Sequence, residues 1–316
     1  MTRILLLILG LIVYGSLYPW EYRPGPEDKT ALEVLLQSWP AKVDRADLGD
    51  IAVNVLLYLP AGMFAFFALD RFGYRRMRWV LPGLIGFAVS SSIEMLQVFD
   101  RTRVPSLLDV LDNTLGSVAG LLLGYVLRSS FTGATLLVLY WLGFQLSALF
   151  AMLAGKRSYP HWTALVLAAW VLVLYMLSVS GKAVHRAWVA WCLAAGFLVL
   201  LLASGLAPYH LQAHGTAFHW IPFHAMFQAD WIVGLPIFLE KSFYYGAAIW
   251  LLHRAGVGFA AATTFVAAVL AFIEVTQRFL PGRTPEITDP VIAVILGCML
   301  WLIEQDASSR QSIVRL

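Results

Sequence analysis

Charge is what this 316-residue sequence has least of: Asp, Glu, Lys and Arg make up 13% of it, against 60% hydrophobic residues. Ordinary water-soluble domains carry about twice that share of charge, so water is not the main solvent of this chain. Cysteine is scarcer still. Cys192 and Cys298 are the whole complement, and both fall inside apolar runs, where the role is that of a small buried hydrophobe and the redox compartment stays unread. A basic stripe is also missing. The net charge of +3 is spread over many short loops, which excludes the electrostatic footprint that nucleic acid requires. No Gly-rich phosphate loop, nucleophile elbow or His-Glu zinc motif occurs, so soluble-enzyme chemistry is not indicated. No small-x-small cleavage site follows Arg3 and the run Ile4 to Val13, which therefore reads as a retained first helix.

What the chain has instead is apolar runs of membrane-crossing length. A helix spanning the hydrocarbon core takes about 20 residues, and cutting the sequence at charges and Pro/Gly clusters leaves ten candidate spans. These are Ile4–Tyr18, Ile51–Leu69, Trp79–Phe99, Leu107–Leu127, Gly133–Ala154, Trp162–Val179, Ala187–Leu206, Ile232–His253, Val257–Phe279 and Asp289–Ile303. The expected fold is all-α, a polytopic transmembrane bundle of about ten helices. An even number of spans returns the chain to its starting side. The 22 Lys and Arg residues divide evenly between the two sides, and the short loop with Arg71, Arg75, Arg76 and Arg78 is the densest cluster. The positive-inside rule then places that loop and both termini in the cytoplasm, in an inner or plasma membrane.

The longest polar stretch, Glu21 to Asp50, holds Leu32, Leu35, Leu36 and Trp39 at helical spacing, as expected of a short helix lying in the interface. Between spans seven and eight lie His210, His214, His219 and His224 with Trp220 and Trp231. The first two histidines have the spacing of a metal pair, but Pro208 and Pro222 break the helix that would align them and no cysteine joins them. Interfacial anchoring is the expected role and no metal is assigned. Asp230, Glu240 and Lys241 open span eight and are read the same way.

An internal repeat stands out. Ile93, Glu94, Gln97, Phe99, Arg103, Pro105 and Asp109 recur without a gap as Ile273, Glu274, Gln277, Phe279, Arg283, Pro285 and Asp289. Background composition predicts about one such identity over this stretch, so duplication is the better explanation. Counting spans gives the two copies one orientation, related by an axis along the membrane normal. The expected organisation is a first module at 1–130, linker spans at 131–204 and a second module at 205–316.

Ionisable side chains inside spans cost about 2.5–3.5 kcal/mol each and so face a bundle interior, a partner or a wet cavity. Asp50 and Asn54 open span two, Glu94 and Gln97 close span three, and Asp109, Asp112 and Asn113 open span four. A loop of about eight residues joins spans three and four, so they are antiparallel neighbours and Arg103 hangs over their carboxylates. Such groups can simply lock helices together. Six polar groups in one place exceed what a lock needs, which points to binding or catalysis. The second copy keeps Glu274, Gln277, Arg283 and Asp289 but has Ile292 and Ala293 where the first has Asp112 and Asn113, and it lacks a clear counterpart of Asp50 and Asn54. The first half is therefore the expected working site.

The order Asp50-x-x-x-Asn54, Tyr58-Leu59-Pro60-Ala61-Gly62, Ser92-Ile93-Glu94-x-x-Gln97, then Arg103-x-Pro105-Ser106-x-x-Asp109-Val110-x-x-Asn113-Thr114-x-Gly116 resembles the VanZ family, whose name comes from a teicoplanin-resistance protein. The second half resembles it more faintly and lacks the Asn-Thr-x-Gly element. The resemblance implies a bacterial envelope membrane protein of four- or five-helix modules, linked in some members to lowered susceptibility to lipid-II-directed glycopeptides. It supplies no reaction and no cofactor. Three functions stay open: binding the polar head of an envelope lipid or precursor at the outer leaflet, an integral membrane enzyme with Glu94 or Asp109 as base and Arg103 stabilising negative charge, and a lipid transporter or flippase. The expected partner is a membrane lipid or envelope precursor; no protein partner is legible.

Overall fold

The computed structural model describes residues 1–40, 47–153, 187–228 and 231–314. Among these residues regular structure is helical, with eleven α-helices, one 3-10 turn at Met77–Trp79 and no strand beyond two isolated bridges. The chain divides into two compact units, Met1–Ser130 and Phe131–Leu316. The first holds α1 (Thr2–Leu17), α2 (Ala31–Gln37), α3 (Asp47–Arg71), α4 (Leu81–Gln97) and α5 (Leu107–Leu127). The second holds α6 (Gly133–Leu153), α7 (Ala187–Leu206), α8 (His224–Gln228), α9 (Trp231–Arg254), α10 (Phe259–Gln277) and α11 (Thr288–Val314). The expected spans at 51–69, 107–127 and 187–206 lie on α3, α5 and α7, and the one at 162–179 falls outside the described residues. Within α3, α5, α7, α10 and α11 are five stretches long and apolar enough to cross a bilayer, the mark of a membrane-embedded protein.

Helix α5 shows why a bilayer suits this chain. Its inward positions are small or polar, with Asn113, Gly116, Ser117, Gly120 and Gly124 buried, while Leu111, Leu115, Leu122 and Val126 are exposed. In lipid the aliphatic face needs no cover, and small residues let backbones approach. Here they do so closely: a methyl group at Gly120 would overlap the carbonyl oxygen of Leu59, one at Gly116 that of Val55, and one at Gly62 that of Ser117. This contact fixes the register of α3 on α5 and carries Asp50, Asn54 and Tyr58 of α3 alongside Asp109 and Asn113 of α5.

Local signals set the ends of the elements. Ser106 caps α5 by accepting from the Asp109 N–H at 3.3 Å, and Asp109 lies in the first turn, where the helix dipole favours a carboxylate. Thr30 and Glu33 form a capping box on α2, and the Thr30 donors hold the Glu33 carboxyl below its ordinary range. Leu35 of α2 turns inward, whereas Leu32, Leu36 and Trp39 are exposed, so the four do not share one face as their spacing suggested. The Ser38 hydroxyl accepts from the Leu107 N–H at 2.8 Å, which docks the end of α2 on the start of α5.

Two expectations are corrected. Cys192 and Cys298 are exposed on their helices and not buried. Lys241, expected at the interface as an anchor, is paired with Asp289 instead; Asp230 lies outside the described residues.

Glycine packing yields a direct test. Gly120→Ala or Gly116→Ala is expected to lower the thermal stability of the detergent-solubilised protein by about 1–3 kcal/mol through overpacking. Gly10→Ala, where an added methyl meets nothing within 4 Å, should cause no loss. An unchanged unfolding midpoint in both α5 variants would contradict the packing described.

Candidate functional site

The polar residues of the first unit fall into two groups with different tasks. Gln97 and Arg103 reach back to the end of α1. The Gln97 amide donates to the Ser16 carbonyl at 2.8 Å, and the Arg103 guanidinium donates to Tyr18 O at 2.9 and 3.1 Å and to Gly15 O at 3.3 Å. The last carbonyls of a helix have no intrahelical donor, and in a low-dielectric setting such orphans are costly. Gln97 and Arg103 satisfy them and hold α1 against the α4–α5 loop. The Arg103 fork is thus taken up by main-chain oxygens, while its charge lies near enough to Glu94 to attract that carboxylate, as expected of a cation over the cluster.

The second group converges between α3, α4 and α5. Asp50, at its mouth, is exposed; Asn54 and Asp109 are half-buried; Tyr58, Ser90, Glu94 and Asn113 are buried. Asn54 bonds the Asp109 carboxylate, and Asp50 and Glu94 are both near enough to repel it. One Glu94 oxygen accepts from the Ser106 N–H at 2.8 Å. The Asn113 amide donates to the Ser90 hydroxyl at 2.9 Å. Tyr58 faces Ser90, Glu94 and Asp109. Asn113 Oδ1, Ser117 Oγ and Asp112 Oδ2 are buried without a hydrogen-bond partner among the described residues. Three carboxyl groups and several unmet polar atoms form an incomplete site. Among the described residues no salt bridge reaches Glu94 or Asp109.

The second unit has counterparts of the Gln97 and Arg103 contacts and of the Glu94–Ser106 bond. Gln277 donates to Gly205 O at 2.9 Å, Arg283 donates to Ala207 O at 2.9 Å and Ser204 O at 2.7 Å, and Glu274 accepts from the Glu286 N–H at 2.9 Å. Gly205, Ser204 and Ala207 stand at the end of α7 as Ser16, Gly15 and Tyr18 stand at the end of α1. The pocket itself differs. Lys241 Nζ binds both oxygens of Asp289, at 2.7 and 2.9 Å, and the Tyr245 hydroxyl donates to the same carboxylate at 2.6 Å.

Sequence reasoning missed Tyr58, Ser90, Lys241 and Tyr245. Lys241 carried a signal, as a charge well inside an apolar run; Ser90 and the two tyrosines carried none of that kind. His210 and His214 lie in non-helical chain, His219 bridges to Glu286 and stacks on His224, and no His/Cys/Asp/Glu group among the described residues has the arrangement of a metal site.

Residues 2–128 match the family model described as VanZ/LLP1, a stretch lying within the first unit. Neither a curated protein nor a solved structure matches the chain.

The clasp on α1 predicts a stability effect. Arg103→Ala and Arg283→Ala should each lower thermal stability by about 1–2 kcal/mol, and Arg103→Lys, which keeps the charge but loses the fork, should recover only part of it. Melting curves of the purified variants decide; unchanged midpoints would show that the guanidinium does not hold the helix end.

Proposed function

We propose that this is a membrane protein of the VanZ-like kind whose N-terminal unit holds the polar head of an envelope lipid or lipid-linked precursor at the extracytoplasmic face of the inner or plasma membrane. In this reading the chain is a ten-span bundle built from two modules that arose by duplication, the second of them modified. The observation that carries the proposal is the convergence of Asp50, Asn54, Glu94, Asp109 and Asn113, with the buried Asn113 Oδ1 left without a partner among the described residues. Buried polar atoms without partners are rare in native structures and mark sites completed by something else. Exposure falls from Asp50 to Tyr58, so the pocket opens at one end of the helices, at the depth of lipid headgroups. Exposed Leu32 and Leu36 on α2 and Trp39 just beyond its end, docked beside α5, fit the same interfacial depth.

Binding is favoured over catalysis by the position of Arg103. An acid-base mechanism with Glu94 or Asp109 as base needs a donor or cation aimed at developing negative charge, and the guanidinium, though near enough to attract Glu94, spends its hydrogen bonds on Gly15 and Tyr18. A transporter needs its polar residues near the bilayer midplane, whereas these gather toward one end of α3 and α5.

Native mass spectrometry of the full-length protein released from detergent tests the proposal. The wild type should retain lipid, and Asp109→Asn, which is nearly isosteric, should retain at least tenfold less. Equal retention, with the variant as stable as the wild type, would count against a headgroup pocket.

A further inference from the structure

We infer that the N-terminal pocket binds a primary ammonium group, and that Lys241 in the second unit is a built-in counterpart of that ligand. The inference rests on the headgroup-binding reading above and names the chemistry of the head.

The two pockets can be placed in register by the turns that end α3 and α9. Gly73 and Gly256 both have positive φ, 77° and 101°. The bonds Phe72 N–H to Ala68 O, Gly73 N–H to Asp70 O and Tyr74 N–H to Leu69 O have the counterparts Ala255 to Leu251, Gly256 to His253 and Val257 to Leu252. Tyr58 lies fifteen residues before Gly73 and Lys241 fifteen before Gly256. Tyr245 likewise stands opposite Gly62. On the facing helices the gapless repeat pairs Glu94 with Glu274 and Asp109 with Asp289. The side chains agree with this register: Tyr58 faces Glu94 and Asp109, and Lys241 faces Glu274 and Asp289.

In one unit, then, two carboxylates on the helices equivalent to α4 and α5 close around an ammonium that makes two contacts of 2.7 and 2.9 Å with Asp289. In the other the same two carboxylates are kept, Asp50 adds a third, and the position of the lysine is taken by a neutral phenol that faces Ser90, next to which the buried Asn113 Oδ1 has no hydrogen-bond partner among the described residues. Asp289 is buried, while Asp109 is open enough to be reached. A carboxyl cluster whose counterpart holds a lysine, with a neutral phenol in the lysine's place, calls for a mobile ammonium. An ammonium fits better than a divalent metal, because no metal-binding group forms among the described residues. Three N–H donors match the acceptors at hand: Asp109, the remaining oxygen of Glu94 and the Tyr58 oxygen. Such an ammonium occurs on aminoethyl phospholipid heads and on free amines.

The experiment is native mass spectrometry of the delipidated full-length chain. It is titrated with phosphatidylethanolamine, its N-acetylated form and phosphatidylglycerol of matched acyl chains, with ethylammonium chloride as the soluble probe. The wild type should bind phosphatidylethanolamine at least tenfold more tightly than the other two lipids, and excess ethylammonium should displace it. Ethylammonium that binds while no lipid does would support the ammonium and assign its source to a soluble amine. Tyr58→Lys, which places a tethered ammonium in the pocket, should abolish the preference, and Lys241→Met should add a second equivalent of phosphatidylethanolamine. The second variant decides the matter should the first fail to fold. Equal affinity for all three lipids, lost together in Asp109→Asn, would overturn the ammonium and leave the headgroup pocket standing. Absence of both lipid and ethylammonium binding would overturn both.

Discussion

A carboxylate placed in a bilayer must be met by a donor or a cation, and the first unit of this protein leaves that requirement partly open. Glu94 and Asp109 are brought together by the α4–α5 turn, and Asp50 and Asn54 are brought to them by the glycine seam between α3 and α5. The Ser106 N–H and the Asn54 amide meet some of the demand, and the like charges around Asp109 raise it again. Every functional statement about this chain depends on that deficit. Were the carboxylates closed off by an internal cation, as Asp289 is by Lys241, the pocket would be a structural lock like its counterpart.

The two units thus present one framework in two electrostatic states. The clasp that Gln97 and Arg103 place on α1, and Gln277 and Arg283 place on α7, is the same in donors, acceptors and spacing. It fixes helix ends and asks nothing of a ligand. The pocket beside it is where the units diverge, through Tyr58 against Lys241 and Gly62 against Tyr245. Where α3 has Tyr58 and the close contact at Gly62, α9 has Lys241 and Tyr245, both bonded to Asp289. In the second unit, losing Lys241 alone would leave the buried Asp289 charge without its cation.

Much of this was legible in the sequence, for a reason that also sets the limit. Apolar runs bounded by charge define helices in lipid almost without competition, and so Leu107–Leu127 and Ala187–Leu206 could be read to the residue. Charged and amide residues inside such runs stand out, which is why Glu94, Asp109, Glu274 and Asp289 were found. The tasks of Gln97 and Arg103 were not legible, because their partners are main-chain carbonyls, and an orphan carbonyl at a helix end has no side-chain signature. Tyr58 and Lys241 were missed as a pair because α3 and α9 share almost no sequence. Only the matching turns at Gly73 and Gly256 set them opposite one another. The exposed positions of Cys192 and Cys298 follow from the same solvent: an apolar residue in a span is as well placed against lipid as against protein.

The central claim is that the bottom of the first pocket is wet, acidic and reached from outside the bundle. Thiol modification at Tyr58→Cys, in a chain with Cys192 and Cys298 replaced by Ala, measures this directly with two methanethiosulfonate reagents of similar size, one aminoethyl and one sulfonatoethyl. The account predicts at least tenfold faster reaction with the cationic reagent, and a difference that collapses when Asp109→Asn is added. Equal rates with the two reagents, or no reaction with either, would contradict it.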